Sequence, residues 1–124
     1  DIGVGPAVMA LIDEQLQQHI NLMNQHCETD IAGTFAYETF RGKLEDASFA
    51  SSMNSAVFEV QQVCLDSQAG KERVREKIST IVMVHANGVR YHALGAGTLA
   101  VVLDPEQWPS EWNDEFAAWL GAAL

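Results

Sequence analysis

The sequence predicts an α/β (α+β) domain: a three-layer α-β-α sandwich on a five-stranded, mostly antiparallel sheet. Three observations predict it. Two long segments place apolar residues every three or four positions, the period of a helix. The stretch from Val82 to Pro105 breaks into short β-rich runs separated by Asn87-Gly88 and by a Gly-rich turn. Within it, Thr98 to Leu103 is apolar without alternation, as in a central strand covered on both faces.

The elements follow in order. From Pro6 to Cys27, Met9, Ile12, Leu16, Ile20, Met23 and Cys27 form one helical stripe, and Pro6 suits a first turn. Val8, Leu11 and Leu22 lie on a flanking strip, so this helix is expected to be covered on more than one side. Thr34 to Phe40 is rich in β formers, Arg41-Gly42 reads as a turn, and Lys43 to Ala47 can return as a short strand. Ser48 to Ser67 contains a run that could be a strand. However, Phe49, Met53, Ala56, Val57, Val60, Val63 and Cys64 fit one helical face over a span too long for a typical strand. Phe58 and Leu65 fall off that face, seven apart, beside Asn54 and Gln61, and make a second, narrower strip. Gln68-Ala69-Gly70 is expected to end the helix.

A strand is then expected from Arg73 or Glu76 to Ala86, turning at Asn87-Gly88 so that Val82 faces Ala93. This register puts Val82, Val84, Val89 and Tyr91 on one face. Ile81, Met83, His85, Arg90, His92 and Leu94 share the other. After the central strand, Ser110 suits an N-cap, and Glu111, Asp114 and Glu115 suit a helix N-terminus. Trp112, Phe116, Trp119 and Ala123 would be that helix's buried stripe. The expected order is helix, strand, strand, helix, strand, strand, strand, helix.

Composition bounds the function. A chain of 124 residues suits a single domain, 1–124. A net charge of −10 argues against nucleic acid and anionic membrane as partners. No apolar run approaches the roughly 20 residues of a membrane span. The start has neither the basic region of a signal peptide nor a Met, so the true start is expected to be missing or trimmed. Four of the seven basic residues, Lys71, Arg73, Arg75 and Lys77, crowd into one run, whereas residues 104–124 hold five acids and no base. On an edge strand the basic run would deter aggregation, or it could dock an acidic partner. Cys27 and Cys64 each end a helical pattern and are expected as buried free thiols in a reducing, cytoplasmic setting rather than as a disulfide.

No motif calls for catalysis, a cofactor or a metal. Gly95-Ala96-Gly97-Thr98-Leu99-Ala100 matches a dinucleotide loop, but a β-branched run follows it where a helix should start. His19, His26, His85 and His92 lack metal-ligand spacing and are expected as ordinary polar-edge histidines. Ser51, Ser52 and Ser55 lack a nucleophile elbow. Gly70-Lys71 is no P-loop, and Glu45-Asp46 and Asp114-Glu115 are expected to be solvated.

The segments IAGTFAYETFRGKLEDAS, SMNSAVFEVQQVC and STIVMVHANGVRYHALGAGTLAVVLDP, with the element order, resemble the Roadblock family over about residues 7–124. That family includes the roadblock light chains of dynein and the bacterial gliding-polarity regulator. The resemblance implies a profilin-like layering and a dimer whose third strands pair across a two-fold axis, with the second helices side by side. It places Arg75, Lys77, Ser79, Ile81 and Met83 on the strand interface, and Asn54, Phe58, Gln61 and Leu65 on the helix seam or a groove beside it. It implies a non-enzymatic homodimeric scaffold or regulator of a Ras-like GTPase, while the strip of Phe58 and Leu65 itself could take an amphipathic partner helix. The alternative is a small acidic chaperone or immunity protein that masks a secreted effector or toxin.

Overall fold

The computed structural model describes residues 6–36, 47–85, 92–103 and 112–124. Its elements are α1 (Pro6–Cys27), β1 (Ala32–Phe35), α2 (Ala47–Asp66), α3 (Gln68–Lys77), β2 (Thr80–His85), β3 (Ala93–Gly95), β4 (Thr98–Leu103) and α4 (Trp112–Ala123). The fold is mixed α+β, with a four-stranded sheet in the order β1-β2-β4-β3. β1 runs parallel to β2 and β2 parallel to β4; only β3 and β4 are antiparallel.

α1 spans the expected residues, because its stripe is what the sheet buries. Ile12, Leu16, Ile20, Met23 and Cys27 are all buried. The helix stops at Glu28, which adopts φ 57°, while the Thr29 N–H donates to the Asn24 carbonyl at 3.1 Å. This is the closing pattern of a Schellman motif. Asn24 then organises the turn into β1. Its Oδ1 accepts from the Ile31 N–H and the Thr29 hydroxyl, and its Nδ2 donates to the Ile31 carbonyl. Gln17 Nε2 donates to the Gly33 carbonyl at 2.9 Å. Side-chain amides of α1 thus occupy polar groups along the outer side of β1, where another strand would otherwise pair.

Two expectations about the middle of the chain are corrected. Ala47 opens α2 instead of closing a return strand, and β1 pairs with β2. The basic run is a helix, not a strand. The Ser67 hydroxyl accepts from the Gly70 N–H at 2.9 Å and caps α3, so a residue expected inside one helix separates two. Val74 and Ile78, four apart, are the apolar anchors of that turn of structure. The expected turns at Arg41-Gly42 and Asn87-Gly88 and the Ser110 cap lie outside the described residues.

The expected pairing of Val82 with Ala93 is also corrected. β4 stands between β2 and β3, so Val82 pairs with Ala100, and Ala93 pairs with Ala100 from the other side. Within the described residues the division of faces nevertheless holds for Ile81, Met83 and Leu94 against Val82 and Val84, because alternation belongs to the strand and not to its neighbour; Val89, Arg90 and Tyr91 and the His85 side chain lie outside the described residues. Ile81, Met83, Leu99 and Val101 are buried on one face, where Leu94 also packs against the core. Val82, Val84, Ala100 and Val102 are partly buried on the other. α1 meets the buried face through Ile20 over Gly33, where an added Cβ would approach the Ile20 side chain to 2.7 Å. α2 packs on α1, α3, α4 and β4. Among the described residues the helices therefore cover one face of the sheet. In place of the expected five strands and three layers, the described residues form four strands and two layers.

β4 is interior, as its unbroken apolar run predicts. The Gly-rich stretch is the tight turn of the β3–β4 hairpin. Ala96 (φ 53°) and Gly97 (φ 84°) are both left-handed, as a two-residue hairpin loop of primed type requires. Gly97 has a second constraint. Its carbonyl accepts from the Ser79 and Thr80 N–H groups and from the Ser79 hydroxyl, which ties the hairpin to the start of β2.

Candidate functional site

Cys27 and Cys64 are both buried and form a disulfide across 37 positions of chain. The expected pair of free thiols is corrected. The sequence left this pairing open because two isolated cysteines carry no spacing signature. The bond joins the last residue of α1 to the last turn of α2, so the two helices run side by side with their C-terminal ends together.

Helical spacing of about 100° per residue places the remaining side chains around these axes. On α1, Gln17 and Asn24 point to the β1 edge. α2 therefore lies against the opposite flank, the one that carries Leu11 and Leu22. On α2, Cys64 marks the flank toward α1. Phe58 and Leu65 stand next to that flank on the solvent side. Leu22 and Phe58 precede their cysteines by five and six residues, which sets them at nearly the same level. Leu11, Leu22, Phe58 and Leu65 are 56%, 45%, 49% and 51% exposed, and they are the exposed large hydrophobics of the described chain. By this spacing Leu22, Phe58 and Leu65 border one groove between α1 and α2, and Leu11 lies on the same side of α1 about 16 Å further along it. Leu11 and Leu22 were legible as a strip, being three turns apart, but not as the bank opposite Phe58.

The other predicted interface residues are dispersed. Gln61, on the same flank as Cys64, is buried, so it belongs to the helix–helix packing and not to a free surface. Asn54 lies on α2, and its side chain is outside what the structure describes. Arg75 and Lys77 are on α3 and exposed. Ser79 anchors the hairpin carbonyl, and Ile81 and Met83 are core. β2 is hydrogen-bonded on both sides, by β1 and by β4, and offers no edge to a second copy. The expected third-strand interface is therefore corrected: the strand that would have formed it is interior.

Two polar features complete the surface. A shallow cleft of about 230 Å³ lies between the α1–β1 turn and the α3–β2 connection, lined by residues including Glu28, Asp30, Arg75 and Ser79. Lys71 of α3 forms an ion pair with Glu28 there and, by its hydrogen bond first, holds that carboxyl below the usual range. On the sheet, His92 Nδ1 accepts from the Val102 N–H at 3.1 Å, and the ring packs edge-on to Phe116 and tilted against Trp119. Burial pushes its pKa down to about 4, so it is a neutral, packed imidazole at pH 7. Among the described residues no group of three His, Cys, Asp or Glu side chains is placed to hold a metal ion, and no helix is long and apolar enough to cross a membrane.

Compared with known proteins, the chain matches no family model, no curated protein and no solved structure.

Proposed function

We infer that this domain is a non-enzymatic protein-binding module that takes an apolar segment of a partner into the groove between α1 and α2. One observation carries the reading. Three of the exposed large hydrophobics of the described chain, Leu22, Phe58 and Leu65, border a single groove, whose two helices are fastened to each other covalently. A cluster of half-exposed Leu and Phe side chains contributes nothing further to this chain's own core, and such patches mark interaction sites. A rigid groove also loses less entropy on binding than one that must first be assembled.

The disulfide favours a non-reducing compartment, where such bonds persist. That setting suits the client-masking alternative better than the cytoplasmic scaffold implied by the Roadblock resemblance. A homodimer paired through β2 has no support, because β2 is interior to the sheet.

A photo-crosslinking residue tests the assignment. Placed at Gln62, between Phe58 and Leu65 on α2, it should capture a discrete partner in the source cells. Placed at the exposed Glu72 of α3, it should not. Phe58→Asp should abolish capture from Gln62. Equal capture from both positions, or capture that survives Phe58→Asp, would put the binding surface elsewhere.

A further inference from the structure

We propose that the occupant of the α1–α2 groove is a cationic amphipathic helix of another protein, with its apolar face on Leu22, Phe58 and Leu65 and its Lys or Arg side chains over the acidic bank of α2. This rests on the groove reading and adds the partner's charge and shape.

The charge follows from which residues surround the groove. Neither α1 nor α2 contains a Lys or an Arg. Their fixed charges are all negative: Asp13 turns to Gln17 on the β1 flank, which leaves Glu14, Glu59 and Asp66. On α2 the acids keep step with the apolar strip: Glu59 follows Phe58 and Asp66 follows Leu65, so both rows repeat after seven residues. Two turns later each row returns to nearly the same angle, so an acidic row runs along α2 over about 10 Å, parallel to the apolar row and about 100° further round the axis, on the side away from α1. α4 extends the acidic side. Partial burial raises the Glu59 pKa, and the charges of Asp114 and Asp66 raise it further; no cation contributes. An approaching ammonium or guanidinium would relieve that repulsion, whereas another carboxylate would add to it.

The same charges weigh against other occupants. A second copy brings a net charge of −10 onto a surface already acidic, and an anionic membrane is repelled in the same way. The β1 edge is poorly suited to an extended strand, because Gln17 occupies the Gly33 carbonyl and Asn24 occupies both polar groups of Ile31 just ahead of it. A helix fits instead: Phe58 and Leu65 are two turns apart, the spacing met by anchors at i, i+3 or i+4, and i+7 of a partner helix.

Three fluorescein-labelled peptides decide it. All share one leucine face at i, i+3, i+4 and i+7, and their polar faces are Lys, Gln or Glu. The Lys peptide should bind at least tenfold more tightly than the Gln peptide, and the Glu peptide most weakly, with a Lys advantage that shrinks as salt rises. Glu59→Gln with Asp66→Asn should remove most of that advantage and leave the Gln peptide unchanged. Phe58→Asp should abolish binding of all three. A peptide held by net charge alone would bind this more acidic variant equally or better, which would overturn the proposal. If the Gln and Lys peptides bind equally and both are lost in Phe58→Asp, the groove stands and the cationic partner falls. If no peptide binds, or all survive Phe58→Asp, both fall. A chain that sediments as a dimer and is dispersed by Phe58→Asp makes a second copy the occupant and also overturns the proposal. Circular dichroism melts check the fold of each variant, and Leu65→Gln replaces Phe58→Asp if that variant does not fold.

Discussion

α1 and α2 each carry two apolar rows, and the rows have opposite fates. The inner rows, Ile12, Leu16, Ile20 and Met23 on one helix and Ala56, Val57, Val60 and Cys64 on the other, are buried against the sheet and each other. The outer rows, Leu11 with Leu22 and Phe58 with Leu65, stand half exposed. The residue types are much the same. What differs is the angle around each axis: the inner rows face the sheet, while the outer rows face the gap above the seam. Hydrophobicity in one row is consumed by folding, and in the other it remains available for association. The two should therefore separate cleanly under mutation.

The strongest way to break the contrast is to unfasten the helices. Closing a loop across 37 positions removes unfolded-state entropy worth about 4 kcal/mol. Cys27→Ala with Cys64→Ala should lose much of this in urea unfolding, and groove binding should weaken with it. An unchanged urea midpoint would mean that the fold does not draw on the bond. Next comes the inner row. Leu16 is fully buried, and Leu16→Ala should cost about 2–5 kcal/mol. The folded fraction should still bind with unaltered affinity, since Leu16 does not reach the groove. Loss of affinity beyond loss of folded protein would show that the two rows are coupled.

Acid offers a milder probe of the buried side alone. The His92 pKa falls from 6.5 to about 4 on folding, so the unfolded chain takes up this proton first. Its contribution is complete above pH 6.5 and is lost as pH falls from there to about 4. Allowing for the ring's partial exposure, the loss should be about 1–2 kcal/mol. Between pH 7 and pH 4 the unfolding free energy from urea titration should fall by that much more in wild type than in His92→Gln; equal losses would remove His92 as the cause. The smallest effect on stability belongs to the outer row. Phe58→Ala should shift unfolding by no more than about 0.5 kcal/mol, as surface substitutions do, while partner affinity drops tenfold or more. A loss of several kcal/mol would reclassify Phe58 as core.

What the sequence by itself determined is local. α1 is legible to the residue and α2 to within one at each end, because periodic apolar stripes are written in the chain. So is the placing of Ile81 and Met83 opposite Val82 and Val84, since alternation needs no partner. β4 as an interior strand and the Ala96-Gly97 turn are legible for similar reasons. What only the tertiary structure decided is which elements are neighbours. Asn-Gly suggested that β2 and β3 pair, yet β4 enters between them, because a turn signal states where the chain bends and not which strand it returns beside. The basic run is a helix because Ser67 caps it and Val74 and Ile78 bury one side of it, and that cap appears only once α2 has stopped before it. Cys27 met Cys64, and Leu22 came level with Phe58, because the sheet draws both inner rows to one face. Short-range spacing determines each helix's own stripes, but the groove between two helices exists only when long-range packing brings them together.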